Sequence, residues 1–181
     1  MGDTPFLMSI QELVDAVHGV CICNYNRDNG FTSVATDSRN VLPGSLFVPL
    51  IGEFQDGHSY IPKALEAGAT VLLVDAAHGD GSGTFYATLA KNYNAAVVLV
   101  ENTLTALQNA AQKYVSFFPD LLKIGITGSS GKTTTKEIIG AIFSEKYTVI
   151  MNEGNLNSET GLPLSVFRIR KEHQLVFSSL G

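Results

Sequence analysis

Ten consecutive residues, Gly125-Ile126-Thr127-Gly128-Ser129-Ser130-Gly131-Lys132-Thr133-Thr134, combine the features needed to hold a polyphosphate. Gly128 and Gly131 let the backbone bend so that several N–H groups point at one anion, and a helix beginning just after them adds the partial positive charge of its N-terminus. In such a loop the residues Gly128, Ser129, Ser130, Gly131, Lys132, Thr133 and Thr134 cradle the phosphates. Lys132 reaches the terminal ones as the catalytic cation, and the hydroxyl of Thr133 or Thr134 is placed to ligate Mg²⁺. The general template G-x-x-x-x-G-K-[ST] would need glycine at position 126, where this chain has Ile126; the shorter core G-x-x-G-K-[ST] is intact. Loop glycines beside a solvated lysine would not account for the apolar run before this segment or the helix-forming run after it. A phosphate loop by itself leaves the reaction open among ATPases, GTPases and kinases, because function belongs to the site and not to the fold.

The elements around it must place the loop between a strand and a helix. Lys123–Thr127 reads as a strand and Thr133–Ser144 as a helix, followed by a strand at Tyr147–Ile150, a polar loop, a helix near Leu162–Phe167 and a strand at Gln174–Phe177. Upstream, Ser9 and Glu12 fit a capping box ahead of the apolar stripe Ile10, Leu13, Val14 and Val17. Strands are expected at Phe31–Thr36 and Leu46–Leu50, then a helix at His58–Ala67, a buried strand at Thr70–Val74, a helix at Phe85–Asn92 and a strand at Ala95–Val100. Thr103 is the expected cap of a further helix that ends before Pro119. This alternation predicts mostly parallel α/β architecture in two parts: a first domain over 1–102, a connecting helix and linker over 103–121, and a second domain over 122–181.

Composition narrows the classes. Of 181 residues, 45% are hydrophobic and 16% charged, enough for a buried core and too apolar for wholesale disorder. A net charge of −5 gives no basic footprint for nucleic acid. The longest apolar runs fall far short of the roughly 20 residues that span a bilayer, so no membrane insertion is expected. The start lacks the basic and apolar regions of a secretory signal, which makes a cytoplasmic location the expectation. Cys21 and Cys23 have no companion ligands for a zinc site and are expected as reduced, packed thiols.

Thr127-Gly-Ser-Ser-Gly-Lys-Thr-Thr-Thr-Lys-Glu137, followed by Gly154-Asn-Leu-Asn-Ser-Glu-Thr-Gly-Leu-Pro163, resembles the Mur ligase family, in which a T-G-x-x-G-K-[ST]-[ST] loop precedes an asparagine-rich G-N-x-N segment. The resemblance extends upstream to Thr36-Asp-Ser-Arg-Asn-Val-Leu-Pro-Gly-Ser-Leu-Phe-Val48 and Gly52-Glu-Phe-Gln-Asp-Gly-His58, and so covers nearly the whole chain. The Lys136-Glu137 pair and Gly154–Asn157 look more like the members that add D-alanyl-D-alanine than those that add the third amino acid.

The resemblance implies a small N-terminal α/β domain that binds a UDP-N-acetylmuramoyl-peptide, followed by the beginning of a P-loop parallel-sheet ATPase domain. It implies ATP and Mg²⁺ as cofactors and an amide-forming reaction in which a substrate carboxylate takes the γ-phosphate of ATP and the resulting acyl phosphate is attacked by D-alanyl-D-alanine. By position, Thr36, Ser38, Glu53, Phe54 and Gln55 would contact the UDP end, and Asn155 and Asn157 would line the substrate side of the ATP site. For Asp37 and Arg39 a turn with a structural ion pair is as good a reading as direct binding. His58 reads as a helix-start or packing residue, Phe54 equally as a stacking or a half-buried loop aromatic, and a turn with Asn in left-handed geometry is the alternative for the asparagines. Two positions depart from the family: Ser158 where a second Asn is common, and Ser179 where a Mg²⁺-facing glutamate is usual, a poor exchange for a divalent cation. Since the family's ATPase domain and a third domain continue past the point matching Gly181, this stretch is expected to bind its substrates weakly and to catalyse little by itself. A non-catalytic nucleotide-binding module and a P-loop kinase for a small metabolite are the competing functions.

Overall fold

The computed structural model describes residues 6–78, 81–152 and 158–179, which form two compact units divided between Ala110 and Ala111. In chain order the first unit contains β1 (Met8–Ser9), α1 (Ile10–Val17), β2 (Val20–Asn24), β3 (Gly30–Phe31), β4 (Ser33–Ala35), a 3-10 turn at Ser38–Asn40, β5 (Ser45–Phe47), a second 3-10 turn at Gly57–Tyr60, α2 (Ile61–Glu66), β6 (Ala69–Asp75), α3 (Thr84–Asn92) and β7 (Ala96–Val100). The dividing point falls within α4 (Thr103–Ser116). The second unit adds β8 (Leu122–Ile126), α5 (Lys132–Ser144), β9 (Val149–Met151), α6 (Gly161–Val166) and β10 (Leu175–Ser179). Among the described residues no helix is long and apolar enough to cross a membrane.

The first unit is built on a five-stranded sheet of order β2-β7-β6-β5-β4, parallel except for β2. The run Thr-Val-Leu-Leu-Val of β6 is apolar at successive positions because both faces of the central strand are covered. Leu72 and Val74 join Phe47 and Val97 beneath Ile61, Ala64 and Leu65 of α2 and Tyr86 and Ala90 of α3. Val71, Leu73 and Val98 alternate to the other face and are equally buried. Each such side chain taken fully out of water contributes about 1.5–3 kcal/mol before entropy is counted.

The second unit has a three-stranded parallel sheet, β8-β10-β9, with Leu175 opposite Leu122 and Ser179 opposite Ile126. Its apolar centre holds Phe167, Ile169, Leu175 and Phe177, with Phe143 of α5 5.8 Å from Phe177 between ring centroids. Tyr114 donates to Ile169 O at 2.6 Å and packs on Phe167 and Phe118.

Several expectations need correction. β2 has no counterpart in the sequence reading: it is an antiparallel edge strand whose residues are exposed or half-buried, so Val-Cys-Ile-Cys-Asn carries little apolar periodicity. Both cysteines are free as expected, and Cys23 packs half-buried against the core cluster, but Cys21 is exposed and not packed. Phe31–Thr36 is two strands, because Phe31 pairs antiparallel with Met8 while Ser33 pairs parallel with Ser45. β5 stops at Phe47, ahead of Pro49, which has no N–H to continue a ladder. Helix α4 is capped by Asn102, whose side-chain Oδ1 accepts from Thr105 N–H at 2.9 Å; Thr103 is buried instead. The capping box at Ser9 and Glu12 is present as expected.

Candidate functional site

The phosphate loop leaves β8 at Ile126 and enters α5 at Lys132. Gly128 and Gly131 take positive φ, 150° and 75°. A Cβ at Gly131 would meet nothing within 4 Å, so glycine there serves the backbone angle and not the space. Gly131 is the N-cap of α5 and offers no side chain to its amides; the first loop-to-helix bond runs from Thr135 N–H to Gly131 O at 2.9 Å. The amides of Lys132, Thr133 and Thr134 therefore precede the helical ladder, the arrangement that suits an anion. Lys132 folds over the loop and donates from Nζ to Gly128 O at 2.6 Å. Thr133 and Thr134, at the start of α5, are exposed.

One helical turn later, Lys136 is buried, 4% exposed, and donates from Nζ to Asn152 O at 2.5 Å and Asn152 Oδ1 at 3.1 Å. The bond ties α5 to the end of β9. Asn155 and Asn157 lie outside the described residues. Thr133, Lys136, Met151, Asn152, Arg168 and His173 line a cleft of about 590 Å³ next to this tie. Ser158 has a local role: its Oγ accepts from Gly161 N–H at 3.0 Å at the start of α6. Ser179 ends β10 level with the last residue of β8, so the carboxyl ends of both strands open on the phosphate loop.

A second cleft, about 860 Å³, lies in the first unit and is lined by Thr36, Ser38, Arg39, Gln55, Tyr60 and Lys63 among others. Thr36, Ser38 and Gln55 thus come together around one space. Glu53 and Phe54 do not line it, and Phe54 is 90% exposed, so it is neither half-buried nor stacked. Asp37 caps the 3-10 turn at Ser38–Asn40 through Arg39 N–H and pairs with the Arg39 guanidinium at 2.5 Å. The Arg39 hydrogen bonds hold the Asp37 carboxyl at about 2. Here the structural-pair reading is realised, while both residues also border the cleft. Tyr60, Lys63, Lys136 and Asn152 were not singled out from the sequence as site residues. Each is an ordinary residue type in a helix or at a strand end, and its place depends on long-range packing.

Two family models match the chain: Mur ligase family, catalytic domain, over residues 30–115, and Mur ligase middle domain, over residues 126–178. A UDP-N-acetylmuramoyl-tripeptide–D-alanyl-D-alanine ligase of Treponema pallidum is 45% identical over 97% of this chain and 38% of its own length. The Bacillus subtilis ligase of the same name is 35% identical over 96% of the chain and 35% of its own length. A crystal structure of MurF from Acinetobacter baumannii superposes with a TM-score of 0.80 at 30% identity, over 96% of this chain and 35% of that one. A MurF ligase from Thermotoga maritima, solved in complex with ADP, gives 0.64 at 31% identity over 81% and 31%. The chain spans under two fifths of the length of these relatives. With a phosphate loop on β8 and α5, a polar cleft on the first sheet, and both units matched in order, the chain belongs to the Mur ligase family.

Proposed function

We propose that this chain supplies the nucleotide-phosphate site and the UDP-sugar-peptide site of an ATP-dependent amide-forming ligase that adds D-alanyl-D-alanine to UDP-N-acetylmuramoyl-tripeptide. The observation that carries the reading is the phosphate loop: uncapped helix amides, two glycines at positive φ and Lys132 over them. The names of the relatives at 45% and 35% identity favour the D-alanyl-D-alanine reaction over addition of the third amino acid.

In this reading Gly128, Ser129, Ser130, Gly131, Lys132, Thr133 and Thr134 hold ATP, and the hydroxyls of Thr133 and Thr134 hold Mg²⁺. Mg-ATP bound there would give its γ-phosphoryl group to a substrate carboxylate oxygen with release of ADP, and the incoming amine would displace phosphate from the acyl phosphate. Lys132 exchanges its bond to Gly128 O for the terminal phosphates and offsets the charge that spreads over them during transfer. Asn155 and Asn157 are assigned to the substrate side of the ATP site by resemblance alone, and the amine of D-alanyl-D-alanine is the second partner. Thr36, Ser38 and Gln55 hold the UDP end of the first substrate through hydroxyl and amide groups that both donate and accept. Glu53 and Phe54, at the tip of the same wall, reach the ligand only if that tip turns inward. The setting is the cytoplasm, where ATP is supplied. Calorimetric titration of this chain tests the reading: Mg-ATP binding is expected to vanish in Lys132→Ala, and retained affinity would remove Lys132 from the site.

A further inference from the structure

The outer part of the first-unit cleft wall, residues 51–55, has no apolar anchor of its own. Residues 51–55 are all exposed, with Ile51 at 58% and Phe54 at 90%, so burial does not hold them. Backbone bonds close the segment on itself, Gly52 N–H to Gln55 O at 2.8 Å and Gly57 N–H to Leu50 O at 2.9 Å. Leu50, Gly52, Gln55 and Gly57 line the cleft; Asp56 does not. Its carboxylate is held elsewhere: Oδ1 accepts from His58 N–H at 2.9 Å and His58 Nδ1 at 2.7 Å, and Oδ2 accepts from His78 Nε2 at 2.6 Å. The two imidazoles stack, centroids 4.1 Å apart and 14° from parallel.

Behind them the network continues into the core. Asp75 N–H, at the end of β6, donates to His58 Nε2 at 3.1 Å, and Tyr86 OH of α3 lies 2.7 Å from His78 Nδ1. The proton positions follow. His58 Nε2 accepts, so its proton is on Nδ1 and points at Asp56; His78 Nε2–H donates to Asp56, and its Nδ1 shares a hydrogen bond with Tyr86 OH. The donor atoms of Asp56, His58 and His78 lie within 4.8 Å of one another, a spacing a metal ion could use. A cation there would need the Nδ1 lone pair of His58, and with Nε2 already accepting, the ring would have to lose both protons. The cluster is a hydrogen-bonded clamp and not a metal site.

We infer that this clamp is the positioning device for the substrate cleft: Asp56, gripped by His58 and His78 and backed by Tyr86, fixes the Leu50–Gly57 wall in the shape that receives the uridine-diphosphate end of the ligand. His78 and Tyr86, 22 and 30 residues from Asp56 in sequence, thereby set affinity without touching the ligand. The inference rests on the cleft being the UDP-sugar site.

Calorimetry with UDP-N-acetylmuramoyl-tripeptide, paired with amide hydrogen exchange in the free chain, tests it. His78→Ala is expected to weaken binding about tenfold, the equivalent of one hydrogen bond to a charged group. The same variant is expected to speed exchange at Gly52 and Gly57 while the β6 and β7 amides keep their wild-type rates. His78→Gln, which retains a donor near the position of Nε2, restores both. Wild-type affinity in His78→Ala, with Ser38→Ala weakened, overturns the clamp and leaves the cleft assignment standing. Equal weakening in His78→Ala and His78→Gln overturns the role of the donor. A wild-type chain that does not bind this ligand overturns the cleft assignment and the inference with it. Should His78→Ala fail to fold, Tyr86→Phe deletes only the hydroxyl: faster exchange at Gly52 and Gly57 is expected, and unchanged exchange overturns the proposal.

Discussion

Lys136 Nζ sits 2.5 Å from Asn152 O and 3.1 Å from Asn152 Oδ1, so a buried ammonium on the helix after the phosphate loop holds the end of the neighbouring strand. Four residues earlier, Lys132 makes a single exposed bond to its own loop. The two lysines share a residue type and differ in what their removal leaves behind. Lys136→Ala removes the two bonds that tie α5 to Asn152 and leaves space where a buried side chain stood, and is expected to cost about 1–3 kcal/mol. Lys132→Ala exposes nothing new and should stay within about 0.5 kcal/mol of wild type. Urea denaturation of both variants measures the contrast; equal losses would show that the tie to Asn152 does not support the fold.

Gly131 has open space around its missing side chain and φ of 75°. Gly131→Ala should therefore cost about 1–2 kcal/mol from backbone strain and nothing from crowding. Gly131→Asn, which tolerates that region better, should cost less. Chemical denaturation decides, and a Gly131→Asn loss as large as that of alanine would mean that crowding and not φ sets the requirement.

The clamp around Asp56 makes stability depend on pH in two windows. Burial alone would raise the Asp56 pKa, but hydrogen bonds from His58 N–H and from both imidazoles outweigh it and hold the carboxyl at about 2. Its contribution is complete above the unfolded value of about 3.9 and is lost as pH falls towards 2. Burial pushes the His58 pKa below its ordinary value, and Asp56 opposes that shift. Above about pH 6.5 the ring is neutral folded and unfolded; below it the unfolded chain takes a proton that the folded one refuses, so stability falls with pH by no more than about 1.4 kcal/mol per unit from this group. His58→Asn retains a donor to Asp56 but not the acceptor for Asp75 N–H. It should be less stable at pH 7 by about 1–3 kcal/mol and lose less than wild type between pH 7 and 5. Parallel slopes in wild type and variant would contradict the assignment.

What the sequence made legible were features carried by neighbouring residues: the capping box at Ser9, the strand-loop-helix around Gly128–Lys132, and the buried run that became β6. What it hid depends on distance along the chain. Asp56 and His58 are adjacent enough to read as a turn, whereas His78 and Tyr86 reach them only because β6 and α3 are folded beside them. β2 was hidden for the opposite reason, since an edge strand with little burial has no periodicity to display. Thr36, Ser38 and Gln55 could be grouped from the sequence by resemblance, while Lys63 joins them only through the packing of α2.

We propose two separate ligand sites on this chain, one for nucleotide phosphates on the second unit and one for a UDP-sugar-peptide on the first. The most direct test is a crossed calorimetric titration of wild type, Lys132→Ala and Ser38→Ala with Mg-ATP and with UDP-N-acetylmuramoyl-tripeptide. Lys132→Ala is expected to lose Mg-ATP and keep the sugar-peptide, and Ser38→Ala to weaken the sugar-peptide and keep Mg-ATP. Mg-ATP affinity unchanged in Lys132→Ala, or sugar-peptide affinity unchanged in Ser38→Ala, would contradict the proposal.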